Sequence, residues 1–169
     1  MSQHVFDRLL AEHERDVLRV SRSVTRDAHL AADAAQETFL RLWQRLQSGL
    51  SPERPGAWLQ RVAVHAALDQ RRARARRAET LEPLDEGAPL ARAEDAAEHA
   101  LLGRELSGRY ERALATLSEG QRVVFLLKHE GGLTLAQAAD ALELALPTVK
   151  TQFARACLKL ARALSDERG

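Results

Sequence analysis

Thr148, Lys150, Thr151, Gln152, Arg155 and Lys159 fall on one side of a stretch whose other side carries Val149, Phe153, Ala156 and Leu160. Hydroxyl, amide and cationic groups so spaced suit the reading of DNA. Residues near a helix N-terminus reach base edges in the major groove, while Arg and Lys reach phosphates. A second basic feature is the run Arg71-Arg72-Ala73-Arg74-Ala75-Arg76-Arg77, which holds more positive charge than a solvated face requires and suits phosphate contact. The carboxylates Asp33 and Glu37 stand four residues apart, a spacing common on helix surfaces, with no basic or metal partner evident. No glycine-rich phosphate loop, HExxH pair or Cys/His nucleophile arrangement accompanies them. The sequence therefore points to binding, not catalysis, and implies neither metal nor cofactor.

The elements that must position these groups are helical. Hydrophobic residues make up 45% of the 169 and aromatics 4%, with only five prolines and nine glycines. Ala, Leu, Arg and Glu dominate, the residues that lose least on entering a helix. Val5, Phe6, Leu9, Leu10, Val17, Leu18 and Val24 predict a first helix ending near Arg26, and Asp27 caps a second over Ala28 to Gln47. A loop follows at 51–56, then a third helix from about Gly56 that dissolves into the arginine run. Pro83, Asp85, Glu86, Gly87 and Pro89 break all periodicity and mark a flexible acidic linker at 79–94. Helical spacing resumes through Ala97, Leu101, Leu106, Tyr110 and Leu114. Two capping boxes, Ser118–Gln121 and Thr134–Gln137, start further helices. A short helix, Leu135 to Leu142, turns into a longer one from about Pro147 to Leu164, with Glu143 where a glycine would be easier and Ala145 where a capping hydroxyl would be expected. Val124, Phe125, Leu127, Leu135, Ala138, Ala139, Leu142, Leu144, Val149, Phe153, Ala156 and Leu160 are the expected core of this helix-turn-helix.

Charge is segregated along the chain. Residues 1–78 carry fourteen Arg against nine acids, a net +5; residues 79–106 carry −6; residues 107–169 carry +2. A basic half, an acidic connector and a mildly basic half fit two nucleic-acid-facing modules joined by a segment that avoids nucleic acid. The single cysteine, Cys157, permits no intrachain disulfide, and no long apolar stretch suggests a leader or membrane insertion, so a cytoplasmic protein is expected.

The strings Ala35-Gln36-Glu37-Thr38-Phe39-Leu40-Arg41-Leu42-Trp43 and Trp58-Leu59-Gln60-Arg61-Val62-Ala63, followed by Asp69-Gln70-Arg71-Arg72, resemble the second conserved region of extracytoplasmic-function (ECF) sigma factors of bacterial RNA polymerase. Leu133 to Leu160 resembles the fourth region of that family. The resemblance implies two small all-α domains, 1–78 and 95–169. It implies that Asp33, Gln36, Glu37, Thr38, Arg41 and Trp43 dock on the clamp helices of the polymerase's largest subunit. Here the chain departs from the family's usual acidic run, with Leu30 and Ala32 where acids are frequent. Arg61, His65, Gln70, Arg71 and Arg72 would take part in melting and reading the "−10" promoter element. Thr148, Lys150, Thr151, Gln152, Arg155 and Lys159 would read the "−35" element. Core RNA polymerase, its flap included, promoter DNA and an anti-sigma factor are the implied partners. The alternative is a helix-turn-helix regulator that acts without polymerase, which strong binding of the free protein to duplex DNA would favour.

Overall fold

A computed structural model describes residues 2–80 and 97–166, and every regular element in them is a helix: α1 (Ser2–Thr25), α2 (Ala28–Gln47), α3 (Pro55–Thr80), α4 (Ala97–Ala115), α5 (Glu119–His129), α6 (Leu135–Leu142) and α7 (Leu146–Asp166). The linker expected at 79–94 lies outside the described residues, except that its first two positions belong to α3. That helix does not dissolve at the arginine run. Alanines alternate with arginines there, all strong helix formers, and the Arg74 guanidinium is tied to the Asp27 carboxylate.

Asp27 starts α2 as expected. Its Oδ1 accepts from the backbone N–H of His29 at 2.8 Å and of Leu30 at 2.9 Å, filling two donors that a helix start leaves open. The Leu30 N–H hydrogen bond, aided by Arg74, holds the Asp27 carboxyl below its ordinary pKa although burial opposes this. Asp27→Ala is expected to cost about 0.5–2 kcal/mol and to lower the melting temperature at neutral pH. A depressed carboxylate stabilises above its unfolded pKa, about 3.9, and loses that contribution as pH falls through the lower folded value. The gap in melting temperature between wild type and variant should therefore close in strong acid; a gap independent of pH would contradict the capping role.

α1, α2 and α3 form a three-helix unit around Val17, Val20, Val24, Leu42, Leu59 and Val64, all essentially inaccessible. α4, α5 and α7 enclose a second cluster of Leu114, Leu117, Phe125, Leu126, Ala156 and Leu160, in which Phe125 and Phe153 stack with centroids 6.1 Å apart. The first cluster is not confined to the N-terminal unit. Val124, Leu127, Leu133, Ala138, Ala139, Ala141 and Val149 continue it, so the other side of α5 and α6 packs against α1 and α3. Alanines at 63, 66 and 67 on α3 and at 138, 139 and 141 on α6 are buried, and their small size permits close approach. The α5–α6 turn is equally tight. A Cβ at Gly131 would fall 2.7 Å from the Leu127 carbonyl oxygen and 3.0 Å from Ser23 Oγ on α1.

Both capping boxes form, with Ser118 and Thr134 accepting from the backbone N–H of Gln121 and Gln137. The α6–α7 turn passes through Glu143 in the left-handed conformation, φ 57°. The expected helix-turn-helix core holds with one correction: Leu144 is 45% exposed, because the left-handed turn swings it outward. Leu126 and Leu133, outside the expected set, are inaccessible.

Candidate functional site

α7 hangs on Val149, Ala156 and Leu160, all buried, and carries Thr148, Lys150, Thr151, Arg155 and Lys159 exposed on its other side. Thr151 Oγ1 donates to the Pro147 carbonyl at 2.9 Å. Gln152 differs from its neighbours. It is half-buried, leans on Gly120 at the start of α5, and its Oε1 is enclosed without a hydrogen-bond partner among the described residues. Five of the six expected readers thus share an open face, and the sixth is turned toward α5.

The five residues expected on α3 divide differently. Arg72 is exposed, 3.9 Å from Asp69, and Gln70 is half-buried. Arg61, His65 and Arg71 instead meet the C-terminal unit. The Arg61 guanidinium donates to Asp140 Oδ1 at 3.0 Å and to Glu143 Oε1 at 3.5 Å. His65 Nε2 lies 3.1 Å from the Ala141 carbonyl oxygen and 3.7 Å from Glu143 Oε2. Arg71 reaches Glu119 at 3.5 Å; burial first, and then the neighbouring Arg122 charge, push its pKa below the ordinary arginine value. Nothing in local sequence could reveal these partners, which sit 48 to 82 residues away along the chain.

On α2, Asp33, Gln36 and Arg41 are exposed, and Glu37 holds Arg41 at 2.9 Å across one turn. Thr38 is wholly buried, its hydroxyl donating to the Ala34 carbonyl at 2.7 Å, so it faces the core and not the surface where a partner would dock. Trp43 is half-buried with its ring 5.3 Å from that of Phe6, edge to face. Phe6, Leu10, Phe39, Leu40 and Trp43, flanked by Gln3 and Gln36, line an apolar groove between α1 and α2. Leu40 and Phe6 are not among the expected site residues. The available signal is that Leu40 is apolar yet off the phase of the α2 core positions.

The helices sit where family models place conserved regions. Residues 9–77 match sigma-70 region 2, and residues 107–160 match sigma-70 region 4. The ECF RNA polymerase sigma factor SigM of Mycobacterium tuberculosis is 32% identical over 162 residues, covering 96% of this chain and 78% of that one. The chain belongs to the ECF family of RNA polymerase sigma factors. SigL of the same organism is 33% identical over 159 residues, 94% of this chain and 88% of that one. In three dimensions this sigma factor is similar to CnrH, solved in complex with the cytosolic domain of CnrY, with a TM-score of 0.64, 27% identity, and coverage of 97% of this chain and 90% of that one. The sigma factor RpoE of Bartonella quintana, solved with the anti-sigma factor NepR, shares the fold at a TM-score of 0.65 and 21% identity. As a sigma factor the chain is not an enzyme: it directs RNA polymerase to initiate at specific promoters. Among the described residues no helix is long and apolar enough to cross a membrane.

Proposed function

We propose a division of this work among three surfaces. Residues 1–78 form the unit that holds polymerase and opens the promoter, and residues 95–169 form the unit that reads the upstream element. α7 lies in the major groove of the "−35" element, with Lys150, Thr151 and Arg155 toward bases and phosphates, Thr148 at the helix start and Lys159 further along the backbone. Gln152 joins them once it swings from Gly120. α3 presents Arg61, His65, Gln70, Arg71 and Arg72 to the "−10" element as it unpairs, where cations must follow a single-stranded backbone. The α1–α2 groove, with Asp33, Gln36, Glu37 and Arg41 around it and Trp43 in its wall, docks on the clamp helices of the largest polymerase subunit, and the C-terminal unit meets the flap. An anti-sigma factor, the kind of partner with which RpoE was solved, covers these surfaces when the protein is held inactive.

The observation that carries this reading is the α7 face: five polar or cationic side chains point outward from a capped helix-turn-helix whose apolar side is locked by Val149, Ala156 and Leu160. Run-off transcription with purified bacterial core polymerase and genomic promoter fragments tests it. New, sharply initiated transcripts should appear only when the protein is added, and base changes in the upstream element should alter them. Specific, tight binding of the free protein to duplex DNA, with no co-migration with core polymerase, would instead point to a regulator acting alone.

A further inference from the structure

Arg71 and Arg122 approach each other where carboxylates do not match cations. A cavity of about 230 Å³ opens there, walled by Arg71 on α3, Arg122 on α5, Arg26 at the α1–α2 corner, and Glu111, Leu114 and Ala115 on α4. Arg26 is satisfied. Its guanidinium is hydrogen-bonded to both Glu111 and Glu130 and lies 5.6 Å over the ring of Tyr110, whose hydroxyl donates to Glu130 at 3.0 Å. Burial, and then Glu130, push that hydroxyl up to about 12, so it remains a donor at any physiological pH. These contacts fix one wall of the cavity.

The facing pair is different. Arg71, its side chain 22% exposed, has Glu119 at 3.5 Å as its one carboxylate among the described residues. Arg122 is half-buried, and among the described residues no carboxylate lies in ion-pair range of it. After burial, repulsion from Arg122 does most to lower the Arg71 pKa, and it outweighs the attraction of Glu119. An arginine does not relieve such repulsion by giving up its proton. A counter-anion relieves it, and the planar guanidinium fork suits phosphoryl oxygens, two nitrogens to two oxygens.

Size and shape narrow the class of anion. Pockets for drug-sized ligands run from about 300 Å³ upward, so 230 Å³ admits a small anion or one end of a larger molecule. A nucleic-acid strand needs a groove along which its backbone can run, whereas a cavity walled by three helices and a helix corner receives a terminal group. Two adjacent guanidiniums match two linked phosphoryl groups. Leu114 and Ala115 leave one side apolar.

We propose that this cavity binds a small diphosphate, free or as the terminal diphosphate of a nucleotide, held by the paired forks of Arg71 and Arg122 against the wall that Arg26 completes. Glu119 is the built-in competitor for Arg71, and the ligand displaces it. The site is independent of the part assigned to Arg71 at the promoter, since it fills with neither DNA nor polymerase present.

Isothermal titration of the whole chain with inorganic pyrophosphate and with adenosine diphosphate, at an ionic strength held constant with sodium chloride, tests the site. One equivalent should bind. Arg122→Gln should weaken binding by at least about tenfold, the scale of a hydrogen bond to a charged group, and Arg122→Lys, which keeps the charge but not the fork, should fall between. Glu119→Gln should tighten binding by about threefold, the scale of an exposed ion pair, because the competing carboxylate is gone. A folding defect does not mimic a gain. Arg77→Gln, which removes a charge from α3 outside the cavity, should bind as the parent does. Tighter binding of adenosine diphosphate than of pyrophosphate assigns the nucleotide, and the reverse assigns the free diphosphate. Failure of both to bind, equal displacement by sulfate, or equal losses in Arg77→Gln and Arg122→Gln overturns the proposal, and so does a Glu119→Gln affinity no better than the parent's.

Discussion

Arg71→Ala combined with Arg72→Ala is expected to lower run-off transcription from a linear promoter by at least about tenfold while leaving assembly with core polymerase intact. Opening a duplex leaves a single strand whose phosphates need cations, and each phosphate-neutralising cation removed reduces the salt dependence of binding by about 0.7 in the log–log slope. If both arginines neutralise phosphates, the slope should fall by about 1.4, a signature that loss of fold would not mimic. Arg71 also pairs with Glu119 at the start of α5, so its removal takes away one contact between the N-terminal and C-terminal units as well. Glu119→Ala separates the two effects, since it frees the cation instead of deleting it, and its transcription should equal or exceed wild type. Full transcription by the double alanine variant would exclude the arginine run from promoter opening.

How much of this is legible in the sequence depends on whether the determinants are local. The α2 boundaries follow from the Asp27 cap and from Ser48-Gly49, and the starts of α5 and α6 from two capping boxes, each with its two members three residues apart. The left-handed turn at Glu143 shows as a position lacking the expected glycine. The full length of α3 does not show, because a run of like charges resembles a helix breaker, whereas arginine and alanine propagate a helix and Arg74 finds Asp27 across the bundle. The contact of the C-terminal helices with α1 and α3 is not legible at all. Asp140, Glu143, Glu111 and Glu130 read as a solvated face along their own helices, and only the fold places Arg61 and Arg26 opposite them, 79 to 104 residues away by the shortest and longest of these pairings.

The same locality explains the candidate site. α7's readers are recognisable because a single helix separates them from its core. The family resemblance places Thr38 in a docking stretch, yet it lies in phase with Ala34, Ala35 and Leu42 and is drawn inside. Leu40, which no core position claims, stands outside instead. Motif membership proposes the helix; helical phase decides which of its residues a partner can touch.

Helical phase therefore makes Leu40→Asp the sharper test of polymerase docking. Leu40 is 47% exposed on the rim of a groove walled by Phe6, Leu10, Phe39 and Trp43. Burying the remainder of a leucine side chain at an interface contributes about 1–2 kcal/mol. Placing a carboxylate in the same apolar setting adds a desolvation cost of about 1–3 kcal/mol. The sum, about 3 kcal/mol, corresponds to roughly a hundredfold weaker association with core polymerase. The position is exposed on a helix whose core residues are untouched, so the melting temperature should move by only a few degrees. Asp33→Ala, a change at the polar rim, should weaken association less than tenfold and mainly at low salt. Equal effects from the two substitutions would mean that charge and not the apolar groove governs docking, and an unaltered affinity in Leu40→Asp would move the polymerase contact off this face.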